Sequence, residues 1–406
     1  MDFNDTPEEA AFRSEARAWL EANAEPRDDS EAGSALAEAE HSEAVREAQA
    51  WQKKKADAGW ACITWPKQYG GRGATPMQAS IWSREEAGFK VPPDIFTIGI
   101  GMCGPTILAH GSDEQKAKWI PKLVSGEEVW CQLFSEPAAG SDLAGLRMSA
   151  VRDGDDWVIN GQKIWTSGAQ WSDWGVIVAR HDPDAVKHAG LTYFVVDMHA
   201  PGVEVRPITT INGGRIFNEV FFSDVHIPDA HRLDAIGNGW RVSITTLMNE
   251  RASIGAAGGD AMIDEVLAMA AEPRPNGSRA LDDPSVRQTL ADFYVRSKGI
   301  ENAGLRILTT LSKGGLPGPE ASLAKLVAGS MMQELADYAI ELQGQAGAVR
   351  SRWTDRYLSV PGIRIAGGTD EVLRNIIAER VLGLPPEARA DKGLPFKDIP
   401  SAPPSS

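Results

Sequence analysis

The chain has 406 residues, 42% of them hydrophobic and 24% charged, and a formal net charge of −15. That length holds two or three domains with a substantial core. The acidic balance argues against nucleic acid or an anionic membrane as partner, and no long apolar run or secretory h-region is visible behind the polar start MDFNDTPEEA.

The first helix is well signalled. Thr6-Pro7-Glu8-Glu9 forms a capping box with proline at the first helical position, and Phe12, Ala16, Trp19 and Leu20 then share one face. Glu25 to Glu43 is acidic and alanine-rich and reads as an exposed loop or weak helix. A helix ends near Gly59, Tyr69 to Gly73 is a sharp turn, and helical patterns return at Ala79–Ala87 and Ser112–Leu123. Between them, Gly99-Ile100-Gly101-Met102-Cys103-Gly104 matches a dinucleotide glycine pattern. No strand–helix–strand pattern frames it, so close helix packing is the better reading. Cys62, Cys103 and Cys131 lie far apart in apolar settings, as reduced core residues of a cytoplasmic protein.

From Val129 to about Asp229 the period changes to strands, including Leu191–Met198, Val203–Ile208 and Phe217–Ile227. His226 and His231 match no metal-ligand spacing and read as part of a surface loop, and no metal site is expected. After Trp240 the chain is helical, apart from a polar break at Pro273–Asp283 and turns at Gly314–Pro319 and Val360–Thr369. The expected fold class is α+β. An N-terminal helical domain covers 1–127, a middle β domain 128–232, a C-terminal four-helix-bundle domain 233–390 and a loose tail 391–406.

The stretch from Trp130 to Ser167 carries the chemistry. An apolar strand over Val129–Phe134 leads into a Ser-Glu-Pro turn and a loop of small residues, Ala138 to Gly145. Such a loop lets backbone N–H groups approach a ligand. Val158-Ile159, Asn160-Gly161 and Lys163-Ile164-Trp165 read as a hairpin with a two-residue turn, ending in Trp165-Thr166-Ser167. A flat ring beside hydroxyls suits a planar cofactor; the alternative is an ordinary hairpin with a core tryptophan.

CQLFSEPAAGSD followed by NGQKIWTS closely resembles the FAD-binding signature of the acyl-CoA dehydrogenase family, and the resemblance covers nearly the whole chain. It implies FAD-dependent oxidation of an acyl-CoA to the trans-2-enoyl-CoA, with electrons passed to an electron-transfer flavoprotein. By that resemblance Gln132, Phe134 and Ser135 line the flavin, and Gly140 and Ser141 form the pyrophosphate and thioester loop. Trp165, Thr166 and Ser167 make the ring wall, with Ser167 nearest N5. Thr369 and Glu371 meet the flavin at the start of the last helix, where free N–H groups favour phosphate. Asn249 and Arg251 meet the CoA moiety.

Many members of that family place the catalytic base in a Tyr-Glu-Gly-Thr motif. Here the motif reads Ala366-Gly367-Gly368-Thr369, and Gly367 cannot be a base. Trp240, Ile244, Leu247, Arg251 and Ile254 recur at helical spacing, and Glu250 shares that stripe. A carboxylate on an apolar face has its pKa raised by desolvation, which suits a general base; the alternative is a plain pair with Arg251. Glu250-Arg251 resembles the pair carried on this helix by the isovaleryl-CoA and long-chain branches, which makes Glu250 the expected base. Gly367 and Gly368 free volume beside the thioester and permit a bulky acyl group.

Two departures bear on assembly. The Arg-x-x-Phe-Gly that reaches a neighbouring subunit's FAD is replaced by Gly277 to Pro284, and Glu341 to Gln345 replaces a Gln-x-x-Gly-Gly motif. A homodimer, a homotetramer or an α2β2 heterotetramer are the options left open. A partner subunit with weak or absent FAD, and an oxygen-using flavoenzyme on the same fold, are the competing functions.

Overall fold

A computed structural model describes residues 5–27, 42–255, 259–274, 276–312, 321–389 and 391–399. Most of the acidic Glu25–Glu43 stretch and the Gly314–Pro319 turn lie outside the described residues. In chain order the elements open with α1 (Pro7–Asn23), β1 (Glu25–Pro26), α2 (Ser42–Asp57), α3 (Pro76–Glu86), β2 (Phe89–Lys90), α4 (Gly104–His110) and α5 (Asp113–Ser125). The strands follow: β3 (Trp130–Leu133), β4 (Ser149–Asp153), β5 (Asp156–Ser167), β6 (Trp174–Arg180), β7 (Leu191–Asp197), β8 (Val203–Ile208), β9 (Phe217–Pro228) and β10 (Arg232–Leu233). The chain then turns helical, with α6 (Gly239–Gly255), α7 (Gly259–Ala271), α8 (Pro284–Ser312), α9 (Ala321–Gln343), α10 (Arg352–Ser359) and α11 (Asp370–Arg380). Among the described residues no helix is long and apolar enough to cross a membrane.

Two compact units form: Met1–Ser34 with Ala74–Val91 and Arg251–Pro386, and Ala35–Gly73 with Pro92–Glu250 and Glu387–Ser406. In the first unit α1 starts as its sequence dictates, with Thr6 and Glu9 closing a reciprocal capping box, and it buries Phe12, Ala16 and Leu20. Trp19 meets Trp82 of α3 at 5.7 Å between ring centroids. Beside them the buried Glu85 takes ion pairs from Arg13 and Arg17, each at 2.8 Å. Met262, Ile263 and Val266 of α7, Leu290 and Phe293 of α8, and Met331 and Leu335 of α9 build a separate helical core.

The second unit is organised by an eight-stranded sheet in the order β10-β7-β6-β4-β5-β9-β8, with β3 parallel to β6. β6 and β7 are buried almost continuously because both faces of the sheet are covered. Val176 and Val178 join Ile107, Trp119 and Leu123 of α4 and α5 on one side. Ile177 and Ala179 join Trp157, Val220 and Phe222 on the other. The glycine pattern at Gly99–Gly104 is a turn of π-helix running into α4, and a Cβ at Gly104 would lie 2.2 Å from the Trp65 ring. Close packing is what those glycines serve.

Three expectations are corrected here. Asn160-Gly161 is not a turn: β5 runs unbroken through it for 12 residues, and the hairpin turn is Gly154-Asp155, with Asp153 opposite Asp156. Gly161 instead sits at a bulge with φ 145°, where a Cβ would come within 3.0 Å of the Met148 backbone. His226 is on β9, and His231 packs edge-on against Trp119 and Trp174 at 5.2 and 5.6 Å. His226 is thus an exposed strand residue, and His231 sits in the short 3-10 turn Asp229–His231, where Lys118 donates to its Nε2 at 2.7 Å and burial pushes its pKa down to about 4. Finally, the tail expected to be loose is docked over 391–399: Phe396 is buried, its N–H bonds Ala185 O at 2.9 Å, and Pro395 bridges Val186.

Candidate active site

β3 and β5 bring the expected flavin-lining residues together in the second unit. The anchor is an ion pair the sequence reading passed over. Lys163 is fully buried and donates to Glu136 Oε1 at 2.9 Å and to Phe134 O at 3.0 Å. The same Glu136 carboxylate accepts the N–H groups of Arg147 (2.6 Å) and Met148 (3.0 Å). Four bonds therefore pin both ends of the Ser135–Arg147 loop to β5. Burial lowers the Lys163 pKa, and the Glu136 charge opposes that shift. A lysine at an inward-facing strand position demands such a partner, so the pair was legible in principle.

Phe134 is buried edge-on to Tyr193, with centroids 5.9 Å apart. Ser135 is half-buried, and its carbonyl accepts Ile164 N–H at 2.9 Å, tying the end of β3 to β5 beside Trp165. Gly140 and Ser141 are exposed in a bend. Trp165 is not a core tryptophan. It is 56% exposed, adopts φ 61° within the second register shift of β5, and touches Phe217 edge-on at 5.9 Å. A bulky residue in the left-handed region is strained, and such strain recurs where a side chain must be aimed. Ser167 is half-buried and Thr166 buried, with the Thr166 carbonyl held by Asn218 Nδ2 at 2.9 Å.

The base candidate is in the same unit. Gln132 Nε2 donates to Glu250 Oε2 at 3.2 Å, so β3 and α6 meet at the carboxylate. α6 is fixed one turn earlier, where Thr246 Oγ1 is 2.9 Å from both Thr106 Oγ1 and Tyr193 Oη in a buried hydroxyl cluster. Among the described residues of α6, Trp240 and Leu247 of the expected stripe do pack partly buried against the core. Val242, Ser243 and Thr246 are the buried side chains, however, and Ile244 is exposed, so the inner face is turned from the expected one. The Ile254 side chain lies outside the described residues. The inward place goes to Thr246, whose hydroxyl bonds Tyr193 and Thr106, and Ile244 is left outside. Asn249 is half-buried and bonds Thr245 O at 2.9 Å. The Arg251 side chain lies outside the described residues.

The remaining positions are in the first unit. Gly367 and Gly368 take φ 65° and 99°, and Lys325 donates to Gly368 O at 2.7 Å. Thr369 caps α11 by accepting Val372 N–H at 3.3 Å, with Glu371 in the first turn. Backbone and Thr369 hydrogen bonds hold the Glu371 carboxyl below its ordinary pKa.

Two buried polar atoms, Gln132 Oε1 and Thr166 Oγ1, have no hydrogen-bond partner among the described residues. With the Ser135 and Ser167 hydroxyls and the exposed Trp165 face, this set fits a planar heteroaromatic group that both donates and accepts. No group of three or more metal-ligating side chains occurs among the described residues.

A run of helices, then a β domain, then further helices along the chain is the order of the acyl-CoA dehydrogenase fold. Profiles of the acyl-CoA dehydrogenase N-terminal, middle and C-terminal domains match residues 6–127, 131–225 and 237–382. Acyl-CoA dehydrogenase IpdE1 of Mycobacterium tuberculosis is 36% identical over 389 residues, 93% of this chain and 98% of that protein. Acyl-CoA dehydrogenase FadE34 of the same organism is 42% identical over 81% of this chain, which spans 45% of that longer protein. The crystal structure of the ChsE4-ChsE5 complex from Mycobacterium tuberculosis superposes with TM-score 0.79 at 29% identity, over 95% of this chain and 100% of that one. A structure named Tcur3481-Tcur3483 steroid ACAD gives 0.80 at 28% identity over 95% and 100%. The chain belongs to the acyl-CoA dehydrogenase family and is an oxidoreductase.

Proposed function

We propose that the protein binds FAD and dehydrogenates a bulky acyl-CoA between Cα and Cβ, with Glu250 as the base, and delivers the electrons to an electron-transfer flavoprotein. The observation that carries this reading is the Gln132–Glu250 hydrogen bond. It brings a carboxylate to β3, the strand read as lining the flavin, and this supports Glu250 over the alternative position, which holds only Gly367. FAD, when bound, supplies the hydride acceptor. Gln132, Ser135, Thr166 and Ser167 would hold its polar edge, and Trp165 would cover its ring. Glu250 takes the α-proton on its carboxylate, and the Gln132 amide keeps that carboxylate oriented.

The bulky-substrate part rests on Gly367 and Gly368 and on a relative named as a steroid ACAD. The same relatives are named as two-component assemblies, which favours an oligomer, homomeric or α2β2, over a lone chain. Activity against acyl-CoAs from short to steroid-sized, with an artificial acceptor and with oxygen, tests the reading. Turnover of large substrates through the acceptor supports it. Oxygen consumption alone points to an oxidase instead, and a colourless protein that takes up no FAD rejects it.

A further inference from the structure

The docked tail touches the Gly140–Arg147 loop through two separate linkages. The first is ionic: Asp391 Oδ2 is 2.9 Å from Lys187 Nζ, which lies 2.6 Å from Asp142 Oδ2. Lys187 is only 10% exposed and sits in the β6–β7 connection. Burial pulls its pKa down, but the hydrogen bonds to Asp142 and Asp391 outweigh that and leave it raised. Arg389 also grips Asp391, at 3.0 and 2.8 Å.

The second linkage is a stack. The Arg180 guanidinium lies 3.3 Å from the centroid of the buried Phe396 ring. Its nitrogens donate to Ala144 O (2.7 Å), Leu146 O (3.1 Å) and Lys187 O (3.1 Å), so it holds the closing end of the loop. Phe396 thus covers the cation that fixes those carbonyls. Backbone bonds from Phe396 N–H to Ala185 O and from Lys397 N–H to Pro183 O seat the segment.

We propose that residues 391–397 are a strap that positions the Gly140–Arg147 loop for its ligand, with Phe396 and Asp391 as positioning residues acting through Arg180 and Lys187. The proposal rests on the reading of Gly140 and Ser141 as the ligand loop. It gives the C-terminal segment a part in ligand affinity although that segment contributes no residue to the ring wall.

The test uses the full-length protein with Phe396→Ala, Phe396→Tyr and Asp391→Asn. Hydrogen exchange is followed at Gly145, Leu146, Arg147 and Met148, whose N–H groups are all bonded within the loop or to Glu136. Phe396→Ala should speed exchange there by roughly tenfold or more while β6 and β7 amides hold. Asp391→Asn should do so less, and Phe396→Tyr, which keeps the ring, should not. Affinity for FAD after flavin removal, and KM for acyl-CoA, should worsen in the same order with kcat nearly constant. Unchanged loop exchange in Phe396→Ala, or acceleration spread evenly over the sheet, overturns the strap. Ser141→Arg, within the loop, separates the two ways of failing. If it weakens ligand binding and the strap variants do not, the strap is wrong. If none of them does, the loop is not the ligand loop and the strap has no ligand to serve.

Discussion

Two places on this chain compete for the catalytic carboxylate, and they are built in opposite ways. Around Glu250 the backbone is regular helix, fixed one turn earlier by the Thr106–Thr246–Tyr193 hydroxyls, and the carboxylate has an amide donor in Gln132. Around Gly367 the backbone is left-handed at two successive residues, φ 65° and 99°, a conformation that side chains with a Cβ resist. The lesson is that a base position is a backbone property before it is a side-chain choice. The Ala366–Thr369 turn has taken a shape that suits glycine, while α6 offers a right-handed site with a bonding partner.

The largest effect that sharpens this contrast is expected from Glu250→Gln. It keeps size and shape, so FAD should stay bound, while steady-state turnover falls roughly 10²- to 10⁴-fold. Moving the acid back, as Glu250→Gln with Gly367→Glu, should recover little. The left-handed φ costs about 1–2 kcal/mol for a non-glycine residue, and a shift of about 1 Å can cost roughly a hundredfold in rate. Activity of the double variant near wild type would break the contrast.

Next comes the support of the ring wall. Lys163→Met leaves the Glu136 carboxylate buried without its cation and should lower stability by roughly 3–5 kcal/mol, read from the denaturant midpoint. Trp165→Ala should weaken FAD by ~1–3 kcal/mol, by analogy with aromatic–base stacking. It should leave the melting point of the flavin-free protein nearly unchanged, because the ring is already 56% exposed. A large drop in stability with unaltered FAD affinity would return Trp165 to a structural role.

The smallest effect concerns pH. Burial first, and the Lys118 charge second, push His231 down to about 4 from its ordinary 6.5. The unfolded chain therefore binds the extra proton in that window, and stability should fall as pH drops from about 6.5 toward 4. Asp229 is held near 2, mainly by its bond to Arg232, so its contribution is lost lower, between about 4 and 2. Replacing His231 by Gln should flatten the upper limb of a melting-temperature profile and leave the lower one.

Much of the architecture was legible because it depends on local signals. The Thr6 and Ser112 capping boxes start α1 and α5 where the sequence places them, and the run Val203–Ile208 is a strand as read. What failed depended on partners distant in sequence. Asn160-Gly161 has a strong turn signature, but Gly161 is needed for close approach to Met148, 13 positions away, and the real turn lies at Gly154-Asp155. Ile244 fitted the apolar stripe of α6, yet the hydroxyls of Thr106 and Tyr193 draw Thr246 inward instead. The proline-rich tail looked loose because no periodicity reveals that Arg180, distant in sequence, is waiting for the ring of Phe396. At the site itself the motif supplied the residues. A buried lysine at an inward-facing strand position signalled that Lys163 has an acidic partner, but which carboxylate it is, Glu136, and the strain at Trp165 needed coordinates.

The central claim is that Glu250 removes the α-proton. It is tested most directly by mixing the flavin-loaded Glu250→Gln variant with excess acyl-CoA in the absence of oxygen and following loss of the yellow colour, a readout independent of the electron acceptor. The account predicts bleaching slowed at least roughly a hundredfold relative to wild type, with substrate and flavin both still bound. Bleaching at the wild-type rate would contradict it and assign the proton to another group.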